Sequence, residues 1–149
     1  MTIETIAYKL LSDSEELSNL LDKLRGKKFG LEFKQGIFTY DIPERPTNAL
    51  SKDLAPFMRI YPTYENDVEF ADDKAISTEH RITINYWCVN AKQSEQIAEL
   101  MDKILESNGF DRYTTNELPR YRDNDIDLLV NVRKYRFFDW QLEKLRNEE

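Results

Sequence analysis

Apolar residues recur at helical spacing over the first 25 residues of the chain. The first stripe consists of Ile3, Ile6, Ala7, Leu10 and Leu11, and the second of Leu17, Leu20, Leu21 and Leu24. Between them, Asp13 followed three residues later by Glu16 is a capping-box pattern that restarts a helix. Residues 1–25 are therefore predicted as an N-terminal helical segment that ends before Gly26. It forms either two short helices or one long helix kinked near Ser12.

Residues 91–108 carry the most regular helical stripe in the chain and are predicted as the main helix. The stripe consists of Ile97, Leu100, Met101, Ile104 and Leu105. Asn90 with Gln93 three residues later favours a helix start, and Asn108-Gly109 is typical of a left-handed helix end. Phe110 is expected to fold back on the last turn.

Alternating apolar and polar residues predict strands elsewhere. The alternation is clearest over residues 81–90, and a closing strand is predicted over 126–137. Short strands are also predicted over 34–40 and 110–115. In the closing strand the apolar residues stand on even positions up to Val132 and on odd positions from Tyr135, which predicts a β-bulge or a sharp twist near Arg133-Lys134.

Residues 41–79 are predicted as a long irregular arm. Four prolines up to residue 62 leave room only for short extended pieces such as 57–61. Residues 65–79 are the most acidic stretch and are expected to form an exposed hairpin or long loop, because clustered like charges resist burial. The acidic residues singled out as a candidate site are Glu65, Asp67, Glu69, Asp72 and Asp73.

The order of these elements predicts one α+β domain over residues 1–149. We expect a mixed or antiparallel sheet of about four strands, with the helices on one face and the arm projecting from it. Residues 139–149 are expected to be a short polar helix or a frayed tail. The main helix is predicted to pack on the sheet face that presents Ile82, Ile84, Ile126, Leu128 and Val130.

Charge and cysteine content narrow the possible functions. The chain has 21 Lys and Arg against 28 Asp and Glu, a formal net charge of −7, which disfavours non-specific nucleic-acid binding through the whole surface. Cys88 is the single cysteine, so neither an internal disulfide nor a cysteine-based zinc site is possible. Neither a membrane span nor a secretion signal is recognisable, which predicts a protein made in the cytoplasm with no membrane partner.

The search for catalytic or metal chemistry finds weak candidates only. His80 and Cys88 are eight residues apart on one predicted strand, too far apart to form a dyad. Residues 123–127 resemble the start of a calcium loop, but Leu128 and Lys134 stand where that loop needs Gly and Glu. Residues 133–138 mix basic and aromatic side chains as a base-stacking strand would, yet strand alternation explains the same pattern. We therefore expect no catalytic residues, no metal, no cofactor and no enzymatic activity.

The order and spacing of elements along nearly the whole chain resembles one family. The matching features are the helical segment 3–24, the segments 38–43 and 55–60, the strand 81–89, the helix 93–108 with its Gly109-Phe110 end, and the closing strand 126–137. They resemble the tail-terminator, tail-completion and head-tail joining proteins of long-tailed phages of Gram-positive bacteria.

The resemblance implies a structural virion protein with no catalytic role. Its subunits would form a ring, usually a hexamer in such families, on the end of the tail tube, stop its growth and dock to the head connector. The implied partners are further copies of the chain, the major tail protein and the connector, and DNA would pass through without specific binding. Assembly would take place in the host cytoplasm, and the acidic residues would line the lumen or form a subunit contact. The alternative is a small acidic protein-binding module, such as a regulator or inhibitor.

Overall fold

Three helices form where the apolar stripes predict them. In the computed structural model, which describes residues 1–29, 35–44, 49–71, 74–113, 118–138 and 140, they are α1 (Ile3–Ser12), α2 (Glu15–Arg25) and α3 (Ala91–Glu106). The N-terminal segment is thus two helices. The N-cap residue of α2 is Ser14, one residue after the predicted Asp13, because the hydroxyl of Ser14 accepts the hydrogen bond from the Leu17 amide.

Both predicted ends of α3 are confirmed. The side chain of Asn90 accepts from the Gln93 amide at 3.0 Å, and Gln93 Oε1 accepts in return from the Val89 amide. At the other end, Gly109 has a φ of 90°, a left-handed conformation that L side chains rarely adopt. This turn lets the Phe110 amide donate to the Leu105 carbonyl, and the Phe110 ring is fully buried.

The helices pack on a mixed sheet of six strands, which confirms the α+β class. The strands are β1 (Ile37–Thr39), β2 (Phe57–Ala71), β3 (Lys74–Cys88), β4 (Asp111–Arg112), β5 (Arg120–Asp123) and β6 (Leu128–Phe138). Their order is β1-β2-β3-β6-β4, and β5 also pairs with β6. Of the described strand pairs, β1 with β2 is parallel and the others are antiparallel. Four of the strands, β1, β3, β4 and β6, fall in the predicted stretches. The other two are the four-residue β5, where no strand was predicted, and the 15-residue β2, of which only a short extended piece was predicted.

The prediction of only short extended pieces up to residue 62 is wrong, because from residue 57 the chain forms a long hairpin of two 15-residue strands. A hairpin was one of the two forms predicted for residues 65–79. Prolines are tolerated in a strand at a sheet edge or a bulge. Pro62 lies beyond Ile60, the last β2 residue paired with β1, and directly before a register shift between Pro62 and Tyr64. Of the earlier part of the arm, residues 41–44 and 49–56 are described, and their one regular element is a 3-10 turn at Lys52–Leu54.

Two apolar clusters cover the two faces of the sheet. On one face all three helices pack over Met58, Ile60, Ile82, Ile84, Tyr86, Tyr135 and Phe137. The second cluster lies on the opposite face and contains Phe29, Phe38, Ala49, Ala55, Phe57, Trp87, Leu128 and Val130. The prediction that α3 packs over Leu128 and Val130 is therefore wrong, although it is right for Ile82 and Ile84.

This arrangement also explains the change of apolar parity in β6 without a bulge. β6 pairs with β3 without a register shift from Leu129 to Phe138. Leu128 and Val130 belong to the second cluster, whereas Tyr135 and Phe137 point towards the helices. Of the predicted bulge or sharp twist near Arg133-Lys134, the bulge is wrong, because the strand changes the face on which it is buried while its backbone pairing continues.

The predicted C-terminal tail, residues 139–149, lies outside the described residues except for Trp140, which is exposed. None of the helices in the described part of the chain has the length and apolar character needed to span a bilayer.

Candidate interaction surface

Three arginines from three neighbouring strands share the sheet face that points away from the helices. Arg81 of β3 lies directly opposite Tyr64 of β2 and Arg136 of β6, and Arg59 of β2 lies opposite Asn85. Opposed residues of an antiparallel pair point to the same face. We call this surface the arginine face, defined by Arg59, Arg81 and Arg136 with Tyr61, Tyr64, Phe138, Thr83 and Asn85. The arginine face lies on the same side of the sheet as the second apolar cluster, next to it along the strands.

Each of these arginines lies over an aromatic ring. The guanidinium carbon of Arg59 is 4.9 Å from the Tyr61 ring centroid, that of Arg81 is 4.2 Å from Tyr64, and that of Arg136 is 5.8 Å from Phe138. Cation-π contacts of this kind hold a guanidinium flat against the sheet. Between the arginines, Thr83 and Asn85 of β3 are buried.

One buried carboxylate forms ion pairs with two of the three guanidinium groups. Glu79, whose side chain is 7% exposed, contacts Arg81 at 3.2 Å and Arg136 at 3.8 Å. Arg59 instead donates to the amide oxygen of Asn85 at 3.0 Å. The Nε atoms of Arg81 and Arg136 are buried and have no hydrogen-bond acceptor in the described part of the chain. The arginine face also carries Lys134, opposite Thr83, and Asp111 of β4, opposite Arg136. With four basic residues against Glu79 and Asp111, it is net positive in a chain whose net charge is negative.

Next to the arginine face, β2 and β3 continue past the end of β6 as a two-stranded ribbon. The last residue pair between β3 and β6 is Glu79 with Phe138, whereas β2 and β3 stay paired as far as Ala71 and Lys74. We call residues 65–71 and 74–78 the acidic ribbon, whose base, Glu65 and Asn66, lies opposite the last two β3 residues paired with β6. Lys74 is five residues beyond Glu79, so at ~3.3 Å per residue the ribbon extends roughly 17 Å past the last pair with β6.

The structure places three of the five candidate acidic residues on this ribbon. Glu65 is 71% exposed, and its Oε1 lies 2.8 Å from Nδ1 of His80 at the base of the ribbon. Asp67 and Glu69 belong to β2, paired with Thr78 and Ser77, and their side chains lie outside the description. Asp72 and Asp73 lie outside the described residues. Of the two forms predicted for residues 65–79, a hairpin or a long loop, the described backbone has the hairpin.

The other residues considered for chemistry do not come together. β3 runs unbroken from His80 to Cys88, so the two side chains lie far apart on one strand. The Cys88 thiol is buried and receives a hydrogen bond from Asn131 Nδ2 at 3.4 Å. Burial raises the pKa of this thiol above its ordinary value of 9.0. Cys88 is therefore a core residue with little thiolate at neutral pH.

Residues 123–127 form the turn between β5 and β6. Asp127, in a left-handed conformation with φ 57°, contacts Lys52 through one carboxylate oxygen and Arg122 at 2.9 Å through the other. The hydrogen bond from Lys52, with its charge, lowers the pKa of Asp127. Within the described ranges, no group of three or more His, Cys, Asp or Glu side chains is placed to hold a metal ion.

Sequence reasoning found only part of the arginine face. Of the basic and aromatic run 133–138, Arg136 and Phe138 lie on it, whereas Arg133 points to the helix side and pairs with Asp102 at 2.8 Å. Arg59 and Arg81 were missed because they come from separate strands. The recurring pattern of an arginine two residues before an aromatic, Arg59-Ile60-Tyr61 and Arg136-Phe137-Phe138, is the signal that could have found two of the three.

In comparisons with known proteins, no protein-family model and no curated protein matches this chain. Among solved structures, that of the bacteriophage SPP1 gp17 protein is similar over 90% of this chain and 86% of that chain. The two are 13% identical in sequence, with a TM-score of 0.44. A TM-score at this level does not establish a shared fold, so function is argued below from this chain's own surfaces.

Proposed function

We propose that this chain is a structural subunit of a phage tail, a tail terminator or head-tail joining protein. Its copies form a ring, expected to be a hexamer, on the end of the tail tube, stop tube polymerisation and dock to the head connector. The partners are other copies of the chain, the major tail protein and the connector protein, and DNA passes through without specific binding. This role places the protein in the virion and involves no catalytic step.

The acidic ribbon is the observation that carries the proposal. A subunit that joins a closed ring needs two different surfaces, one of which reaches a neighbour. The ribbon extends beyond the sheet to which it belongs, and its strands pair only with each other beyond Glu79 in the described part of the chain. An element of this kind can reach a neighbouring subunit.

The test is to assemble phage tails with and without this gene product. We expect tails that lack the protein to have uncontrolled length or to fail to join heads, as seen by negative-stain microscopy. Purified protein added back should restore a normal tail end. Tails of normal length that still join heads in its absence would contradict the proposal.

The acidic ribbon also suits the alternative function, a small regulator or inhibitor that presents negative charge to a basic partner. The two functions differ in assembly, because a regulator needs only a monomer or dimer. Light scattering of the protein bound to isolated tail tubes separates them, since a ring gives several copies per tube end. A gene position beside the major-tail and tape-measure genes favours the virion role.

A further inference from the structure

We infer that the acidic ribbon of one copy docks on the arginine face of a second copy, so that the ring is built head to tail. The inference rests on the proposed ring and names the contact that forms it. Because a ribbon and a face differ, the contact is heterologous, and such contacts close into rings when the rotation between copies allows.

Charge complementarity is the first reason for choosing a second copy as the occupant. Residues 65–71 and 74–75 hold three acidic residues and one lysine, whereas the arginine face holds four basic residues, counting Lys134, against Glu79 and Asp111. Two copies that each carry a net charge of −7 repel each other over most of their surfaces. The ribbon against the arginine face is a pairing in which opposite charges meet.

The guanidinium groups of the arginine face are also positioned to bind carboxylates. The side chains of Arg81 and Arg136 are 34% and 40% exposed, so part of each guanidinium reaches the surface. Their aromatic neighbours hold them in place before any partner arrives, which reduces the entropy lost on binding. Guanidinium groups bind carboxylates through paired hydrogen bonds, a geometry that lysine lacks.

Arg59 lies out of reach of the far part of the ribbon in the same chain. Residues 67–71 pair with 74–78 and continue the direction of β2 and β3, away from Arg59, which lies near the opposite end of β2. Arg81 and Arg136 lie beside the base of the ribbon, so the residues beyond Asp67 extend away from the whole arginine face and can meet such a face on another molecule. The ribbon's acidic side chains also discourage simple edge-to-edge strand pairing with that molecule.

A nucleic acid is the less favoured occupant. Single-stranded binding surfaces expose aromatic rings on which bases stack, but Arg59 and Arg81 lie over the Tyr61 and Tyr64 rings of this face. The phosphate backbone also meets an overall negative protein.

The first experiment measures self-association of the full chain by analytical ultracentrifugation, alone and with tail tubes. We expect the ribbon variant Asp67→Lys with Glu69→Lys to associate at least about tenfold more weakly than the parent chain, because like charges then meet. The control, Glu95→Lys with Glu99→Lys, makes the same change in net charge on the exposed side of α3 and should associate at least as well as the parent.

The decisive experiment mixes two variants that each fail alone. The face variant Arg59→Glu with Arg136→Glu should not self-associate, but mixed with the ribbon variant it should form rings of alternating copies. In the mixture every lysine ribbon meets a glutamate face, and every acidic ribbon meets an arginine face. If circular dichroism shows that the face variant is unfolded, Arg59→Gln with Arg136→Gln replaces it and should still weaken self-association.

The outcomes separate this inference from the proposed function. If the parent chain forms no ring on tail tubes, the proposed function fails and the inference fails with it. If the parent forms rings but the ribbon variant does so equally well, or the mixture shows no rescue, the head-to-tail contact is wrong and the ring stands. If the glutamine variant assembles normally but loses binding to a double-stranded DNA fragment, the arginine face is a DNA surface and the inference is overturned.

Discussion

The Arg25 side chain is fully buried and holds the segment between α2 and β2 in place through hydrogen bonds. Its guanidinium donates to the carbonyls of Pro56 at 2.6 Å, Leu54 at 2.8 Å and Gln35 at 3.3 Å, and pairs with Asp22 at 2.9 Å. A buried carbonyl that loses its donor costs about 1–3 kcal/mol. We therefore expect Arg25→Met to lower the free energy of unfolding by about 3 kcal/mol or more in urea denaturation.

The matched control for this prediction is Asp22→Ala. It removes the same ion pair but leaves the three carbonyl contacts in place, and Asp22 is 32% exposed. A half-exposed ion pair contributes roughly 1 kcal/mol or less. Equal losses in the two variants would mean that the ion pair, and not the carbonyl contacts, holds this segment.

The buried phenol of Tyr135 is expected to make the stability of the protein depend on pH. Burial, together with a hydrogen bond to the Asp102 carboxylate, raises the pKa of Tyr135 above its ordinary value of 10.0. In the unfolded chain the phenol ionises near pH 10, so the stability it contributes is complete below that pH and is lost as the pH rises further. Tyr135→Phe should cost about 1.5–3 kcal/mol at about pH 7, the usual value of a hydrogen bond to a charged group.

The difference in unfolding free energy between Tyr135→Phe and the parent should then narrow as the pH rises from about 9 to about 11, because only the parent has this phenol to ionise. Urea denaturation across that range measures it. A difference that stays constant would show that the Tyr135 hydroxyl does not titrate differently in the two states. Tyr121→Phe, at a 45% exposed position, should change stability at about pH 7 by less than about 0.5 kcal/mol.

Among the elements, α3 was predicted most completely, yet its stripe is not buried evenly. Ile97, Met101 and Leu105 are fully buried, whereas Leu100 is only partly buried. Truncating a fully buried Met or Leu costs about 2–5 kcal/mol. Met101→Ala should therefore destabilise the protein by that amount, and Leu100→Ala by clearly less. Equal losses in chemical denaturation would place Leu100 as deep in the core as Met101.

The strands show where sequence patterns stop being informative. Alternation predicts a strand but does not say which face is buried, so β6 was assigned a bulge or a sharp twist where it passes from the second cluster to the helix face. β5, Arg120–Asp123, has no apolar alternation at all, and its pairing with β6 depends on contacts distant in sequence. Helix stripes and caps are local, which is why α1, α2 and α3 could be predicted.

For the whole molecule, the sequence drew attention to the acidic residues but, on the arginine face, only to Arg136 and Phe138 of the run 133–138. The acidic residues are contiguous in sequence, so composition alone reveals them. Arg59, Arg81 and Arg136 are brought together only by the register of β2, β3 and β6. A chain of net charge −7 gives no compositional hint of a positive surface.

The last prediction concerns the salt dependence of assembly, which follows if oppositely charged surfaces hold the ring together. Raising the ionic strength from about 0.1 M to about 1 M shortens the Debye length from about 10 Å to about 3 Å and screens exposed charges. We therefore expect ring formation, followed by analytical ultracentrifugation, to decrease steadily with added sodium chloride. The variant that combines Asp67→Lys and Glu69→Lys with Arg59→Glu and Arg136→Glu exchanges the two charges and should show the same decrease. Assembly that strengthens with salt would instead mean that apolar contacts hold the ring, because salt then only removes the repulsion between acidic subunits.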